Sequence, residues 1–463
     1  MRRALLAAVA ALACAAPAQA EQRLVTIETP SAVVDARTTV DNGVDDLRAN
    51  VLLPDGYDAD ERSRWPLLVL LHGVGDRFDA WASPERGDVA RTLAGLPAVV
   101  VMPEGGRGFY TDWFNGGRRG APAWETFYRE ELLPLLERRF RLREGRRWRA
   151  VAGLSMGGLG ATYLAAQLPG AFGAVATFSG FVDHQRPEIG VGVQAVGGVA
   201  YEDVFGPMDG AYATGHNPTR LAENLAAHRV FVAVGDGTGQ ANAGGALVEA
   251  ALHPQSRAFA AAARAAGAAV EERPQPGTHD WPFWRAHLRQ AVAWDLFAPV
   301  AEQPARWAYR TVARRGRAWD VRFEHQEAPE AVHVLRRDGA LLSGEGRGEL
   351  VLRDGLGCRR EAAFPFRVRL PFTACGGRRL RVAVTPARVR SGARARTLRI
   401  AVTVADDGVA RPVPGARVRV GRRVLRTAGD GRARLRTRVP RGGLRITATR
   451  RGFREGTARV RRG

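Results

Sequence analysis

Two uninterrupted apolar runs, Leu67–Leu71 (LLVLL) and Ala98–Met102 (AVVVM), leave little freedom in how the first part of this chain can fold. A strand with one wet face alternates polar and apolar residues, so runs without a polar break belong to strands buried on both faces. Further strands are expected at Ala49–Leu53, Arg149–Ala152, Val175–Phe178, Val230–Val234 and Val270–Arg273. Helical patterns stand between them at Trp124–Phe140, Met156–Gln167, Leu247–Ala266 and Pro282–Phe297. This alternation predicts the α/β class, with a mostly parallel sheet covered on both sides.

After Phe297 the pattern changes. AEQP forms a linker, and short alternating segments such as RLRVAVT, TLRIAVTV and LRITATR follow, divided by Gly, Pro and Asp. They predict two small all-β, sandwich-like domains over 300–385 and 386–463, behind an α/β domain over 21–299. Residues 1–20 read as a cleaved export signal: Arg2 and Arg3 precede a short apolar run, and Ala18-Gln19-Ala20 offers a small-residue cleavage site. The run is too short for a membrane span, so no transmembrane segment is expected after cleavage. Export in turn favours a disulfide between Cys358 and Cys375, the two cysteines outside the signal.

The net charge of +22 is unevenly spread. Residues 21–299 carry 27 Arg and 33 acids, whereas residues 300–463 carry 40 Arg and 14 acids. Every basic residue is Arg, the mark of a GC-rich codon habit, but codon habit does not explain the imbalance between the halves. Clustered Arg attracts polyanions. Docking of the C-terminal half on an anionic cell-envelope polymer or lipid surface is therefore expected, and nucleic acid is not expected as a partner of an exported protein.

The run VAGLSMGGLGAT, from Val151 to Thr162, places Ser155 between Gly153 and Gly157 at a strand-to-helix turn. A nucleophile elbow needs glycines there because the turn is strained and side chains would collide. Such a serine also needs a base, an orienting acid and an oxyanion site. With chain order Ser, acid, His, His279 in GTHDWPFWRAHL is the candidate base. His72 comes too early, His184 follows a strand end and competes weakly, and His216, His228, His253 and His287 lie in helical or pre-helical, surface-like surroundings. For the acid, Asp236 follows a strand directly and Glu249 opens a helical segment. The oxyanion donors expected are the amides of Met156 and Val74, with Gly73 and Gly75 as close alternatives to Val74. Trp113 and Trp281 are expected to wall the pocket. No HExxH, cysteine cluster or P-loop occurs, so neither metal nor cofactor is expected.

The segments VLLPDGYD, WPLLVLLHG, VVVMPEGGRGFYTDWFNGG, WETFYREELLPLLERRF, VAGLSMGGLGATYLAAQLP and GTHDWPFWRAHL occur in this order between about Asn50 and Phe297. Together they resemble the esterase D and mycolyltransferase (antigen 85-like) family of α/β-hydrolases. The resemblance implies an α/β-hydrolase fold and acyl-ester chemistry through a serine acyl-enzyme. It carries over Ser155 as nucleophile, His279 as base and the Val74 and Met156 amides as oxyanion donors. The mycolyltransferase branch holds its acid near the start of the helical segment that bears Glu249, and the similar spacing from Glu249 to the Ala-Ala-Gly ending at Gly267 favours Glu249 over Asp236. That branch has an acidic residue where this chain has His72, whereas the broader esterases use His-Gly. In the terminal β-domain the runs PVPGARVRVG, TAGDGRARLRTRVPRGG and ITATRRGF, by their turn pattern, resemble immunoglobulin-like or carboxypeptidase-regulatory-like modules of secreted bacterial enzymes. The leading expectation is an exported serine carboxylesterase. An acyltransferase acting on a sugar or envelope acceptor is the second, and a non-catalytic envelope-binding protein the third.

Overall fold

A computed structural model of the chain describes residues 22–34, 47–115, 122–238, 243–372, 377–389, 395–406 and 409–462. The expected signal, residues 1–20, lies outside these, as does Cys375, whereas Cys358 is buried.

Eight strands form the main sheet: β1 (Arg23–Glu28), β2 (Arg48–Leu53), β3 (Leu67–Leu71), β4 (Val99–Pro103), β5 (Arg149–Leu154), β6 (Ala174–Phe178), β7 (Arg229–Gly235) and β8 (Ala269–Gln275). Their order is β1-β2-β4-β3-β5-β6-β7-β8. The pairs β1–β2 and β2–β4 are antiparallel, and all pairs from β4 through β3 to β8 are parallel. This is the α/β-hydrolase fold. The LLVLL run behaves as its composition requires: Leu67, Val69 and Leu71 enter the core on one face of the sheet, Leu68 and Leu70 the core on the other. The sequence reading missed β1, an antiparallel edge strand whose residues are mostly exposed and lack a continuous apolar run.

Four helices bear on the site: α1 (Met156–Gln167), α2 (Pro187–Gly197), α3 (Ala243–Ala265) and α4 (Trp281–Ala293). Every residue of α1 is buried, so it carries no amphipathic stripe. Its glycines let it approach the sheet: a Cβ on Gly157 would meet the Leu71 and His72 carbonyl oxygens at 2.6 Å. The sequence reading did not foresee α2, a short Gly- and Val-rich segment with little helical patterning.

The expected linker is held in place. Arg146, 2% exposed, donates to the carbonyls of Pro169, Ala227 and Ala301, and its guanidinium lies 4.8 Å from the Trp319 ring. Across the same junction Tyr309 Oη donates to Gln167 Oε1 at 2.9 Å, and Asn224 pairs its side-chain amide with the Arg310 backbone.

Between Arg306 and Arg369 the chain builds two four-stranded antiparallel sheets. Beyond Arg381 it forms a three-stranded path joined by Arg432–Thr437 and a separate five-stranded sheet. The boundary expected at 385/386 needs correction. Strand Arg381–Thr385 pairs with Arg396–Asp406 of the terminal domain, so the change of sheet falls between Arg369 and Arg381.

Candidate active site

Ser155 sits at the turn from β5 into α1 with φ 52° and ψ −119°, a left-handed conformation that costs a non-glycine residue energy. Packing enforces it. A Cβ on Gly153 would lie 2.2 Å from the Gly157 carbonyl oxygen, so only glycine lets the strand turn this sharply into the helix. The Ser155 amide is held by the Phe178 carbonyl on β6, and its own carbonyl accepts from Phe181.

His279 lies on the turn between β8 and α4. Its Nε2 stands 3.0 Å from Ser155 Oγ and its Nδ1 2.9 Å from Glu249 Oε2. Glu249, fully buried on α3, also receives the Ser179 hydroxyl at 2.6 Å and the Gly235 amide at 2.5 Å, both on Oε1. Burial pushes its carboxyl up, but the His279 hydrogen bond and charge, Ser179 and the Gly235 amide together hold it below the usual carboxylate range. Asp236, the other candidate acid, is turned away. It accepts from Thr238 N and Oγ1 at 2.8 and 2.6 Å, an Asx-type turn at the surface.

Val74 and Met156 both line the cavity beside Ser155. Met156 is the first residue of α1, where backbone amides have no partner within the helix. The loop bearing Val74 is held from behind by a buried histidine–carboxylate contact. His72 Nε2 lies 3.2 Å from Glu104 Oε1, and His72 Nδ1 bonds the Gly73 carbonyl at 2.8 Å. Burial would lower the His72 value, but Glu104 and the Gly73 carbonyl raise it. Burial would raise Glu104, but His72 and the amides of Gly106 and Gly105 hold it at about 2. Tyr110 Oη, donating to the His72 carbonyl at 2.9 Å, completes the brace.

The cavity at Ser155 has a volume of about 240 Å³ and a mainly apolar lining that includes Phe109, Phe181, Ile189, Val193, Leu252 and Trp284. Neither Trp113 nor Trp281 lines it, contrary to expectation. Trp113 packs at the edge of a core and donates to the Gly108 carbonyl. Trp281 is wedged edge-on between Trp81 and Trp284, with ring centroids 5.1 and 5.2 Å away. One helical turn further on, Trp284 takes the wall position, its ring 4.9 Å from His279 and its Nε1 3.3 Å from Ser179 Oγ.

Sequence reasoning missed Ser179, Trp284 and Glu104. Ser179 and Glu104 are ordinary residues just after strands, and only the parallel sheet brings them to the site. Trp284 did carry a signal, as an aromatic in the same segment as His279. His216, His228 and His287 prove buried, not surface-like. Among the described residues no cluster of His, Cys, Asp and Glu could hold a metal ion. Nor does any helix among them have the length and apolarity to cross a membrane.

A family model described as "Putative esterase" matches residues 44–294. An esterase of Mycobacterium tuberculosis is 34% identical over 242 residues, covering 50% of this chain and 52% of its own length. The chain thus spans about half the length of the curated relatives it matches first. The diacylglycerol acyltransferase/mycolyltransferase Ag85A of Mycobacterium gordonae is 31% identical over 258 residues, covering 52% of this chain and 74% of its own. Among solved structures, Mycobacterium tuberculosis MPT51 is 26% identical with a TM-score of 0.48, covering 60% of this chain and 99% of its own.

Proposed function

The chain belongs to the esterase family whose model spans residues 44–294, and from that premise we propose that it is an exported serine esterase acting on carboxylic esters with an apolar acyl group. The observation that carries this reading is the unbroken relay from Ser155 Oγ through His279 to Glu249, with steps of 3.0 and 2.9 Å. In the proposed reaction His279 Nε2 removes the Ser155 proton as Oγ attacks the ester carbonyl carbon. The carbonyl π electrons move to oxygen, where the Val74 and Met156 amides receive the negative charge. The intermediate collapses as the imidazolium returns the proton to the departing alcohol, leaving an acyl-serine. Water, deprotonated by the same imidazole, then releases the acid and restores Ser155.

Glu249 keeps Nδ1 protonated and stabilises the imidazolium. The apolar cavity beside Ser155 suits the acyl portion, and the basic 300–463 half is read as an electrostatic anchor to an anionic envelope polymer. The 31% identity to a mycolyltransferase over three quarters of that protein's length supports a second reading, in which a sugar hydroxyl replaces the water.

Hydrolysis of short p-nitrophenyl esters by the wild type, abolished in Ser155→Ala, tests the first reading. Retained turnover in that variant would refute it. Product analysis with trehalose present separates the two, since transferred ester supports the acyltransferase and free acid alone the esterase.

A further inference from the structure

Between Arg381 and Gly463 the sequence holds 24 arginines and four acidic residues. Strand register decides where the arginines point. In the five-stranded sheet Arg417 stands directly across from Arg426 on one side and from Thr449 on the other. On neighbouring strands Arg445 faces Arg459, and Arg388 lies beside Arg461. The intervening Val418, Ile446, Ala448 and Val460 point into the core. Like charges placed directly opposite one another destabilise a sheet. Glu455, 3.9 Å from Arg445, is a partial counterweight.

At one end this face folds into a concavity lined by Arg417, Arg426, Thr449, Arg450 and Arg451, with Pro371 and Phe372 of the preceding β-domain as an apolar wall. Among the described residues no carboxylate lines it. Asp354 acts on Arg450 through its charge but is itself buried and already receives three backbone amides.

We propose that this concavity binds the phosphodiester groups of an anionic polymer, and that Arg419, Arg445 and Arg459 extend the contact along the sheet. A guanidinium presents parallel N–H donors that match phosphate oxygens. A phosphate between Arg417 and Arg426 turns their repulsion into two charge-assisted bonds, and the Thr449 hydroxyl supplies a third donor. Outward residues along one strand repeat at about 7 Å, which fits anions repeated along a chain. A bilayer partner is disfavoured because, among the described residues, Val424 alone is a large exposed apolar residue on this face, too little to insert. The proposal rests on the anchor reading of the basic half and gives it a site and a chemistry.

The test is binding of the full chain to labelled poly(glycerol phosphate) at increasing salt. Arg417→Gln/Arg426→Gln is expected to weaken binding about tenfold at low salt and to make the logarithmic salt dependence shallower by about 2. Arg399→Gln/Arg434→Gln, an equal charge change at a facing pair on the other sheet, is expected to cost much less. Arg417→Lys/Arg426→Lys should bind between the wild type and the glutamine variant. Equal losses in the two glutamine variants, or none in the first, would overturn the site. Tighter binding to phosphatidylglycerol vesicles than to the polymer would overturn the choice of partner. All variants should hydrolyse a soluble ester at the wild-type rate, so loss of the esterase reading would show in that assay alone.

Discussion

Ser179 Oγ lies 2.6 Å from Glu249 Oε1, and this contact, made by a residue with φ 49°, leaves Oε2 of the carboxylate to face His279. Trp284 Nε1 approaches the same hydroxyl at 3.3 Å, which orients its proton toward Glu249. In the proposed mechanism Ser179 is therefore a positioning residue that acts through Glu249. Ser179→Ala is expected to lower kcat by roughly ten- to a hundredfold with little change in KM, because one hydrogen bond to a charged group is worth about 1.5–3 kcal/mol. Steady-state kinetics on a soluble ester decides this, and an effect confined to KM would contradict the role.

Glu249 and Asp236 separate in geometry: Glu249 meets His279, and Asp236 accepts from Thr238. Glu249→Gln should lower kcat by about 10³–10⁴, since an amide cannot stabilise the imidazolium and favours the wrong tautomer. Asp236→Asn should stay within about twofold of wild type, because its carboxylate serves a surface turn. The reverse order of effects would move the acid to Asp236.

Ile189 and Val193, both on α2, form part of the cavity wall. Val193→Trp is expected to fill acyl space, leaving acetyl ester turnover near wild type and cutting hexanoyl and octanoyl turnover at least about tenfold. An acyl-length series reads this directly. A uniform loss across chain lengths would mean that the acyl group lies elsewhere.

Several histidines are held neutral by burial: His216 and His287 at about 4, His184 and His333 at about 3. Each folded-state value lies below the unfolded 6.5, so the unfolded chain takes up more protons as pH falls. Stability is therefore lost from about pH 6.5 downward, by up to about 1.4 kcal/mol per pH unit for each such histidine. His72 runs the other way. Its value is raised, so its contribution is fully present below 6.5 and fades as pH rises through its folded value. Thermal unfolding should give a lower Tm at pH 4.5 than at pH 7, and a flat profile over that interval would contradict the burial of these rings.

Much of the sheet was legible because its strands are apolar without interruption, and α1 was legible to the residue because glycines and a strand flank it. The edge strand β1 and the covering helix α2 were not, since neither carries a periodic pattern strong enough to stand alone. In the site, Ser155 and His279 announced themselves through local turns. Trp113 and Trp281 misled because aromatic residues near a catalytic motif serve a core as readily as a pocket. Only the direction of α4 puts Trp284, not Trp281, beside His279.

The sequence by itself determined the α/β class, the family motifs, the strand-to-helix turn at Ser155 and the basic excess of residues 300–463. These depend on composition and on residues close in the chain. Tertiary structure decided that Glu249 meets His279 and Asp236 does not, that Ser179 and Glu104 brace the site, and that Arg417 faces Arg426. Each of these is a contact between separate elements, fixed by sheet order, helix direction or strand register. A one-residue slip in register would turn the arginine face into the core, so its chemistry exists only once the fold has set the pairing.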